Sequence, residues 1–240
     1  MEFEFFNDQL PIELVDLIFS FLRPDEKFMT RFCCKKFLSL GIVKMSIKKL
    51  SKNASKKRYI SVLKWIDQKK YSCWIGQSSC YVAAKYGYLD VLQYLVSIGL
   101  GFDTRCGYQA AKHGHLEILM AYKDDLLWSP RICNMTIEGA IIGGHIPIFA
   151  WLKQNNLLIC MPQDITCMVG YGHLKLLKWI YHNTNYEFTN TDVETAIYNG
   201  DLVILKWLIK KRTPYNKVWC VKLAKERNHN EIVDWINRNM

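Results

Sequence analysis

The sequence predicts an all-α fold in which helix–turn–helix repeats form a solenoid behind a small segment of three helices. Three observations support this prediction: a repeated segment with a nearly constant period, a helical spacing of apolar residues in each copy, and an N-terminal stretch that lacks the repeat. The chain of 240 residues is long enough for one large or two modest domains with real cores. Its hydrophobic fraction of 50% suits a globular protein.

Seven copies of the repeat appear when the chain is aligned with itself, and an anchor residue at a helix end marks each copy. Two strong copies read GYLDVLQYL from Gly87 and GDLVILKWL from Gly200. Successive anchors are 29, 27, 30, 28, 28 and 28 residues apart, a regularity that is typical of a solenoid. The anchors are Arg58, Gly87, Gly114, Gly144, Gly172, Gly200 and Asn228.

Each copy has the pattern of two helices joined by a tight turn. A glycine at the anchor supplies the left-handed residue that ends the first helix. Apolar residues follow at offsets +2, +4, +5 and +8 from the anchor and form one face of a second helix. In the second copy these are Leu89, Val91, Leu92 and Leu95. Offset −4 is Ala in six copies and Met168 in the fifth, so we expect the paired helices to approach closely.

Two further columns of the repeat admit functional interpretations beside structural ones. Offset +7 is aromatic in six copies, which suits a ligand cage, but it lies beside the apolar face of the second helix. We therefore expect these aromatic residues to pack in the interior, and Trp179→Ala to lower the free energy of unfolding by about 3–5 kcal/mol.

A column of histidines at offset +1 could suggest a metal site. Zinc ligands must lie about 2 Å from one centre, however, and these histidines are a whole repeat apart, so no metal is predicted and they are expected to bond turn backbone. The histidines at offset +1 are His115, His145, His173 and His229.

The pattern A-A-K-x-G-[YH]-L-x-[VI]-L, clearest at residues 83–92 and 110–119, resembles the ankyrin repeat. The repeats occupy residues 59–240 and depart from that family in two ways. The Thr-Pro-Leu-His opening is missing, and the period is near 28 rather than about 33. Since the missing residues belong to the β-hairpin, the hairpins are expected to be short or absent. The short period and L-K-W segments are similar to ankyrin-type proteins of giant DNA viruses.

Residues 9–45 do not follow the repeat, and their apolar spacing predicts three short helices with a break at Pro24. The residues that form a motif at defined spacing are Leu10, Pro11, Ile12, Glu13, Leu14, Ile18, Leu22, Cys34, Lys35, Lys36, Phe37 and Leu40. This motif resembles an F-box, with Phe37 where the family often has Trp and Lys27 where it prefers Leu. The alternative is that the segment is an N-terminal helical cap on the repeats.

The F-box resemblance implies an adaptor function without catalysis. F-box segments dock on the Skp1 subunit of cullin-RING ubiquitin ligases, and the domain that follows holds the substrate. The chain is accordingly expected to recruit an unidentified protein substrate and to bind a Skp1-like protein. The residues expected to contact Skp1, or to shape the surface that does, are Leu10, Pro11, Leu14, Ile18, Leu22 and Phe37.

Positive charge is concentrated in one part of the chain. The formal net charge is +10, and residues 27–70 carry fourteen Lys or Arg against one Asp. Residues 46–58 of this stretch form either a linker or the first helix of the first repeat. A further hypothesis is that residues 44–70 bind nucleic acid or another anionic surface, although the stretch has few aromatics and no base-reading motif. A solvated helical face explains the charge equally well.

Several classes of protein do not fit the sequence. It contains no P-loop, G-x-S-x-G or H-E-x-x-H motif, so no enzyme, cofactor or small-molecule substrate is expected. The nine cysteines lack metal-site or disulfide spacing and are expected to be small buried hydrophobic residues. There is no apolar run of 18 residues and no signal-peptide pattern. We expect a cytoplasmic or nuclear protein, of the host cell if viral, that is neither secreted nor membrane-bound.

The substrate-binding face is expected along the first helices, just before each anchor, as in ankyrin-like stacks. Its residues are aromatic and basic, which suits a protein-binding surface and also an ordinary solvated face. If residues 9–45 are only a cap, the same face would serve a binding scaffold without a ubiquitin-ligase role. The candidate residues are Lys85, Tyr86, Lys112, His113, Tyr171, Tyr198 and Arg227.

Overall fold

A computed structural model describes residue 13 and residues 47–68, 75–160 and 166–239. Of these residues 76% are helical and none lies in a β-strand, so the predicted all-α fold of helical repeats is confirmed. No helix in these ranges has both the length and the apolar composition needed to cross a membrane. The six predicted Skp1-contact residues lie outside the described residues, while Glu13 beside them is helical and half-buried.

The first of two compact units spans residues 1–136. Its helices are α1 (Ile47–Lys57), α2 (Ile60–Gln68), α3 (Ser78–Tyr86), α4 (Leu89–Ser97), α5 (Thr104–Lys112), α6 (Leu116–Ala121), α7 (Lys123–Trp128) and the start of α8 (Pro130–Gly143). Helix α3 packs between α1 and α5, and the buried Ser79 hydroxyl donates to Ser51 Oγ at 3.1 Å. Residues 47–57 of the basic stretch thus form a helix that packs against α3.

The second unit spans residues 137–240 and contains the end of α8. Its further helices are α9 (Ile146–Gln154), α10 (Thr166–Gly170), α11 (Leu174–Asn183), α12 (Asn190–Tyr198), α13 (Leu202–Lys210), α14 (Lys217–Glu226) and α15 (Asn230–Asn239), with a 3₁₀ turn at Leu157–Cys160. Helix α12 packs between α10 and α14. Within each unit, therefore, three successive first helices stack side by side.

The buried positions of the repeat are the same in all seven copies. The residue at offset −4 has no exposed surface in any copy, which lets neighbouring helices pack closely. These residues are Ala54, Ala83, Ala110, Ala140, Met168, Ala196 and Ala224. The residues at offsets +4 and +5 are also buried throughout, as Leu92 and Leu205 illustrate with relative exposures of 0%. The helical periodicity of the sequence thus identified the core correctly.

The turn between paired helices has a left-handed backbone at every anchor. The φ angle lies between 60° and 82° at all seven positions. Five anchors are glycine, which adopts this conformation without the Cβ strain that other residues incur. Arg58 and Asn228 adopt it as non-glycine residues, with φ angles of 61° and 60°. The two flanking copies are therefore real repeats with the same turn.

The third copy departs from the predicted pattern. Its second helix, α6, ends at Ala121, which is exposed rather than packed. Tyr122 at offset +8 instead stacks on Phe102, with ring centroids 4.5 Å apart and planes 7° from parallel. The short helix α7 then follows. This additional helix accounts for the longest anchor spacing, between Gly114 and Gly144.

The aromatic column at offset +7 is packed to different degrees. Trp65 and Trp151 are buried, as expected. Trp179 is only half-buried, with its ring tilted by 57° against Phe149 at 6.0 Å. Trp207 and Trp235 are likewise half-buried, so the expected cost of 3–5 kcal/mol applies to the buried pair and overstates Trp179.

Four cysteines, Cys80, Cys106, Cys133 and Cys220, are buried, which confirms the sequence expectation for these positions. Burial raises the pKa of the Cys80 thiol to about 12 and that of Cys220 to about 11. Both thiols therefore stay protonated and unreactive at neutral pH, as expected for packing residues.

Candidate protein-binding surface

The predicted substrate-face residues lie at the C-terminal ends of the first helices, at offsets −2 and −1 from the anchors. All seven are exposed except Lys112, which is half-buried. Helical spacing places offsets −10, −9 and −6 on the same side of each helix, one and two turns earlier. We call these five offsets of each repeat the first-helix strip.

In the first unit the first-helix strip is strongly basic. It consists of residues on α1, α3 and α5, which stack side by side. None of these residues is buried. It contains seven Lys and one Arg, hence eight cations, and no Asp or Glu. The residues are Lys48, Lys49, Lys52, Lys56 and Lys57 on α1, Gln77, Ser78, Tyr81, Lys85 and Tyr86 along α3, and Thr104, Arg105, Tyr108, Lys112 and His113 along α5.

Tyrosine rings hold several of these cations in place. Lys85 Nζ lies 5.8 Å from the centroid of the Tyr86 ring. Lys112 Nζ lies 5.6 Å from that of Tyr108. Arg105 Cζ lies 5.7 Å from the ring of Tyr81, and this contact joins α5 to α3. Cation–π contacts at such exposed sites are weak, about 0.5–1 kcal/mol each, but they restrict the side chains that a partner would meet.

Tyr88 and Arg58, which were not predicted as part of the substrate face, extend this surface. The Tyr88 ring stacks on that of Tyr86 at 6.0 Å, and Arg58 Cζ lies 5.6 Å from the Tyr88 ring. Arg58 Nε also donates to Asp90 Oδ2 at 3.0 Å. An aromatic residue at offset +1, where His is common, was the available signal for Tyr88.

In the second unit the strip has a different chemistry. On α12 and α14 it carries Glu194 and Glu226 against Lys222 and Arg227, so its charges balance. The Arg227 guanidinium lies over the Tyr198 ring, with Cζ 3.5 Å from the centroid. The predicted residues Tyr198 and Arg227 are thus in contact, while exposed Tyr171 lies one repeat earlier at the end of α10.

The N-terminal end of α14 exposes apolar side chains that the sequence interpretation missed. Val218 is 79% exposed and Trp219 is 41% exposed. They occupy offsets −10 and −9, where the preceding repeat has Asn190 and Thr191. Comparing the repeats position by position, rather than by their anchors, would have revealed this exchange of polar for apolar residues.

The histidines at offset +1 support the turns. His115 Nε2 lies 2.9 Å from the carbonyl oxygen of Lys85, in the preceding repeat. Since a carbonyl oxygen can only accept, Nε2 donates this hydrogen bond. His173 bonds Ile142 O at 2.9 Å and His229 bonds Tyr198 O at 3.2 Å in the same way. The expected bonding to turn backbone is confirmed for these three. Within the described ranges, no three His, Cys, Asp or Glu side chains are grouped so as to hold a metal ion.

The same imidazole rings occupy the space beside the preceding anchor. A Cβ at Gly87 would lie 2.6 Å from His115 Nδ1, and one at Gly200 would lie 2.8 Å from His229 Cε1. Such distances are too short for any side chain. Gly144 faces His173 in the same manner. Glycine at these anchors is therefore required by the following repeat as well as by the left-handed turn.

Gly172 is different because Asp201, not His, follows it at offset +1. A Cβ there would lie 3.6 Å from Asp201 Oδ2, an ordinary contact distance. The Asp201 carboxylate instead caps its own helix by accepting from the backbone N–H of Ile204 at 2.9 Å. One column of the repeat thus performs two structural tasks.

Residues 8–41 of the chain match the F-box domain, and this match includes all six predicted Skp1-contact residues. No curated protein matches the chain. The F-box resemblance is therefore confirmed, and it supports a role as a substrate-adaptor subunit of a ubiquitin ligase in general. The match ends at residue 41, and the first repeat helix begins at Ile47.

Proposed function

We propose that this protein recruits substrates to a ubiquitin ligase of the Skp1–cullin–F-box type. The observation that carries the proposal is the F-box match at residues 8–41, directly ahead of stacked helical pairs. In this arrangement the F-box binds a Skp1-like subunit, and the first-helix strips hold the target protein. The chain itself contributes binding and positioning, not catalysis.

The different roles proposed for the F-box segment and the repeats follow from the amount of hydrophobic core that each can form. A match of some three dozen residues is too short to bury much apolar surface alone, so it gains stability from a partner. We propose that Leu10, Pro11 and Leu14 contact the Skp1-like subunit, together with Ile18, Leu22 and Phe37. The repeats have their own buried interior and present an exposed strip.

A pull-down with purified Skp1 tests the proposal. We expect the full chain to capture Skp1 and a Leu10→Ala/Pro11→Ala variant to lose most of that capture. A Glu4→Gln/Asn7→Ala variant, altered just ahead of the match, serves as the matched control and should behave as the wild type. Equal capture by all three proteins would overturn the proposal.

The resemblance of the repeats to ankyrin-type proteins of giant DNA viruses adds a finer proposal. The target would be a protein of the infected host, met in the cytoplasm or nucleus. Affinity purification followed by mass spectrometry, with the full chain and with a chain lacking residues 1–45, tests this idea. Ligase subunits should disappear from the shortened chain, while the target remains.

The alternative is a binding scaffold with no ubiquitin-ligase role, in which residues 9–45 only cap the repeats. The exposed strips would serve such a scaffold equally well. Under this alternative, removal of residues 1–45 lowers thermal stability but removes no defined partner from the purification. That outcome would favour the scaffold.

A further inference from the structure

We infer that the first-helix strip of the first unit binds an extended acidic segment, rich in Asp and Glu, of the recruited protein. This inference rests on the proposed function and names the class of target that the strip selects. Its basis is charge complementarity over a defined area, because the strip carries eight cations and no acid across three adjacent helices.

Two acidic side chains beside the strip, Asp103 and Asp90, are already engaged. Asp103 caps α5 by accepting from the N–H groups of Arg105 and Cys106, both at 3.0 Å. Its Oδ2 also forms an ion pair with the Arg105 side chain at 3.6 Å, so this one strip cation already has an acidic partner. Asp90 forms an ion pair with Arg58 at 3.0 Å. These two carboxylates therefore leave the exposed ammonium groups of Lys52, Lys56 and Lys85 available to an incoming anion.

The dimensions of the strip fit a short extended segment. Neighbouring helices pack about 8–10 Å apart, so α1, α3 and α5 present a face about 16–20 Å wide. An extended chain advances about 3.3 Å per residue, so about five or six residues cross this face. Because alternate side chains of an extended chain point to the same side, such a segment directs two or three carboxylates towards the strip.

The aromatic residues of the strip favour a protein over a nucleic acid. Single-stranded nucleic acids bind by stacking bases on open aromatic faces. The rings of Tyr81, Tyr86 and Tyr108 each have a cation 5.6–5.8 Å from the centroid, on or beside the face that a base would need. These rings therefore serve as supports for positive charge, which suits carboxylates.

Fluorescence anisotropy with the full chain tests the inference. The probe is a fluorescein-labelled peptide of about eight alternating Asp and Glu residues, longer than the segment that crosses the strip. A Lys52→Glu/Lys85→Glu/Arg105→Glu variant should bind it about tenfold or more weakly at about 0.1 M salt. The matched control is Lys175→Glu/Lys178→Glu/Lys210→Glu, which changes net charge equally at exposed positions of α11 and α13. It should lose no more than about threefold, because those charges lie outside the strip.

Thermal unfolding followed by circular dichroism checks that both triple variants fold. A peptide of Asn and Gln, which lacks the carboxylates, should not bind the wild-type chain. Equal losses in the two triple variants would overturn the inference, since binding would then follow net charge alone. It is also overturned if single-stranded RNA of about twelve nucleotides binds more tightly than the peptide and loses affinity in the strip variant. Skp1 capture should be unchanged in the strip variant. Failure of wild-type Skp1 capture would overturn the proposed function instead, whatever the peptide result.

Discussion

The two units have the same interior but different exposed strips. In both, the residue at offset −4 has no exposed surface, and the residues at offsets +4 and +5 are buried. The strip of the first unit carries eight cations and no acid, whereas α12 and α14 of the second carry two of each sign. The repeat pattern therefore constrains the buried positions and leaves the exposed ones free to differ. Binding specificity is to be sought in the strips, not in the shared pattern.

The largest expected effects concern the shared interior. Leu92 in the first unit and Leu205 in the second occupy offset +5, and each has a relative exposure of 0%. We expect Leu92→Ala and Leu205→Ala each to lower the free energy of unfolding by about 2–5 kcal/mol, because each leaves a cavity in a close-packed core. Urea denaturation followed by circular dichroism measures both values.

Val203→Ala provides the control, since Val203 lies on the same helix as Leu205 but is 63% exposed. Its effect should stay within about 0.5 kcal/mol. A small cost at Leu92 with a large cost at Leu205 would show that the interiors of the two units are not equivalent.

A medium effect is expected where a histidine occupies the space beside an anchor. Gly200 and Gly172 both have a φ of 75°, but only Gly200 faces an imidazole, that of His229. Each Gly→Ala change incurs about 1–2 kcal/mol of left-handed strain, and Gly200→Ala adds a steric clash. We therefore expect Gly200→Ala to be the more destabilising of the two in thermal melts.

The clash is isolated by a double-mutant cycle. In the His229→Ala background the additional cost of Gly200→Ala should disappear, leaving a cost close to that of Gly172→Ala. If the difference between the two glycines persists without the imidazole, the clash is not its cause. Gly87→Ala, tested with and without His115, extends the same comparison to the first unit.

The smallest effects are expected for Arg58, which lies beside the strip of the first unit, and for Arg227, which belongs to the strip of the second. Arg58 forms an exposed ion pair with Asp90 in the first unit, and Arg227 lies over the Tyr198 ring in the second. Exposed ion pairs contribute about 0.2–1 kcal/mol and exposed cation–π contacts about 0.5–1 kcal/mol. Arg58→Ala and Arg227→Ala should thus each reduce stability by less than about 1 kcal/mol.

The stability costs of the two arginine substitutions should respond differently to ionic strength. Raising the ionic strength should screen the ion pair of Arg58, so the cost of Arg58→Ala should shrink. The cost of Arg227→Ala should change less, because the guanidinium lies directly on the ring at 3.5 Å. Identical salt responses in the two variants would argue against this distinction.

Much of the fold could be predicted because particular residue types recur at fixed positions of the repeat. The structure confirms three such predictions: a left-handed turn at the anchor glycines, close packing at offset −4, and burial of the apolar pairs at offsets +4 and +5. The extra helix α7 was not predicted, although the 30-residue interval between Gly114 and Gly144 marked the place. A spacing shows where residues are inserted but not which structure they adopt.

The candidate surface was only partly predictable, because contacts between repeats join residues far apart in the chain. Six of the seven residues predicted before the anchors are exposed, but Tyr88 and the exposed Trp219 were not predicted. Likewise, sequence alone indicated that the histidines bond turn backbone. It did not reveal that the carbonyl belongs to the preceding repeat, as for His115 and Lys85.

The link between histidine and the preceding turn limits how such an array can be rearranged. A helix pair whose turn carries His229 fits only behind one whose first helix ends in a glycine, as at Gly200. The pair whose turn carries Tyr88 follows a pair whose anchor is Arg58, not glycine. Grafting or duplicating a single pair would therefore separate partners that depend on each other. The smallest transplantable module is therefore two successive pairs, with junctions for chimaeras in the loop before the first pair and in the loop after the second.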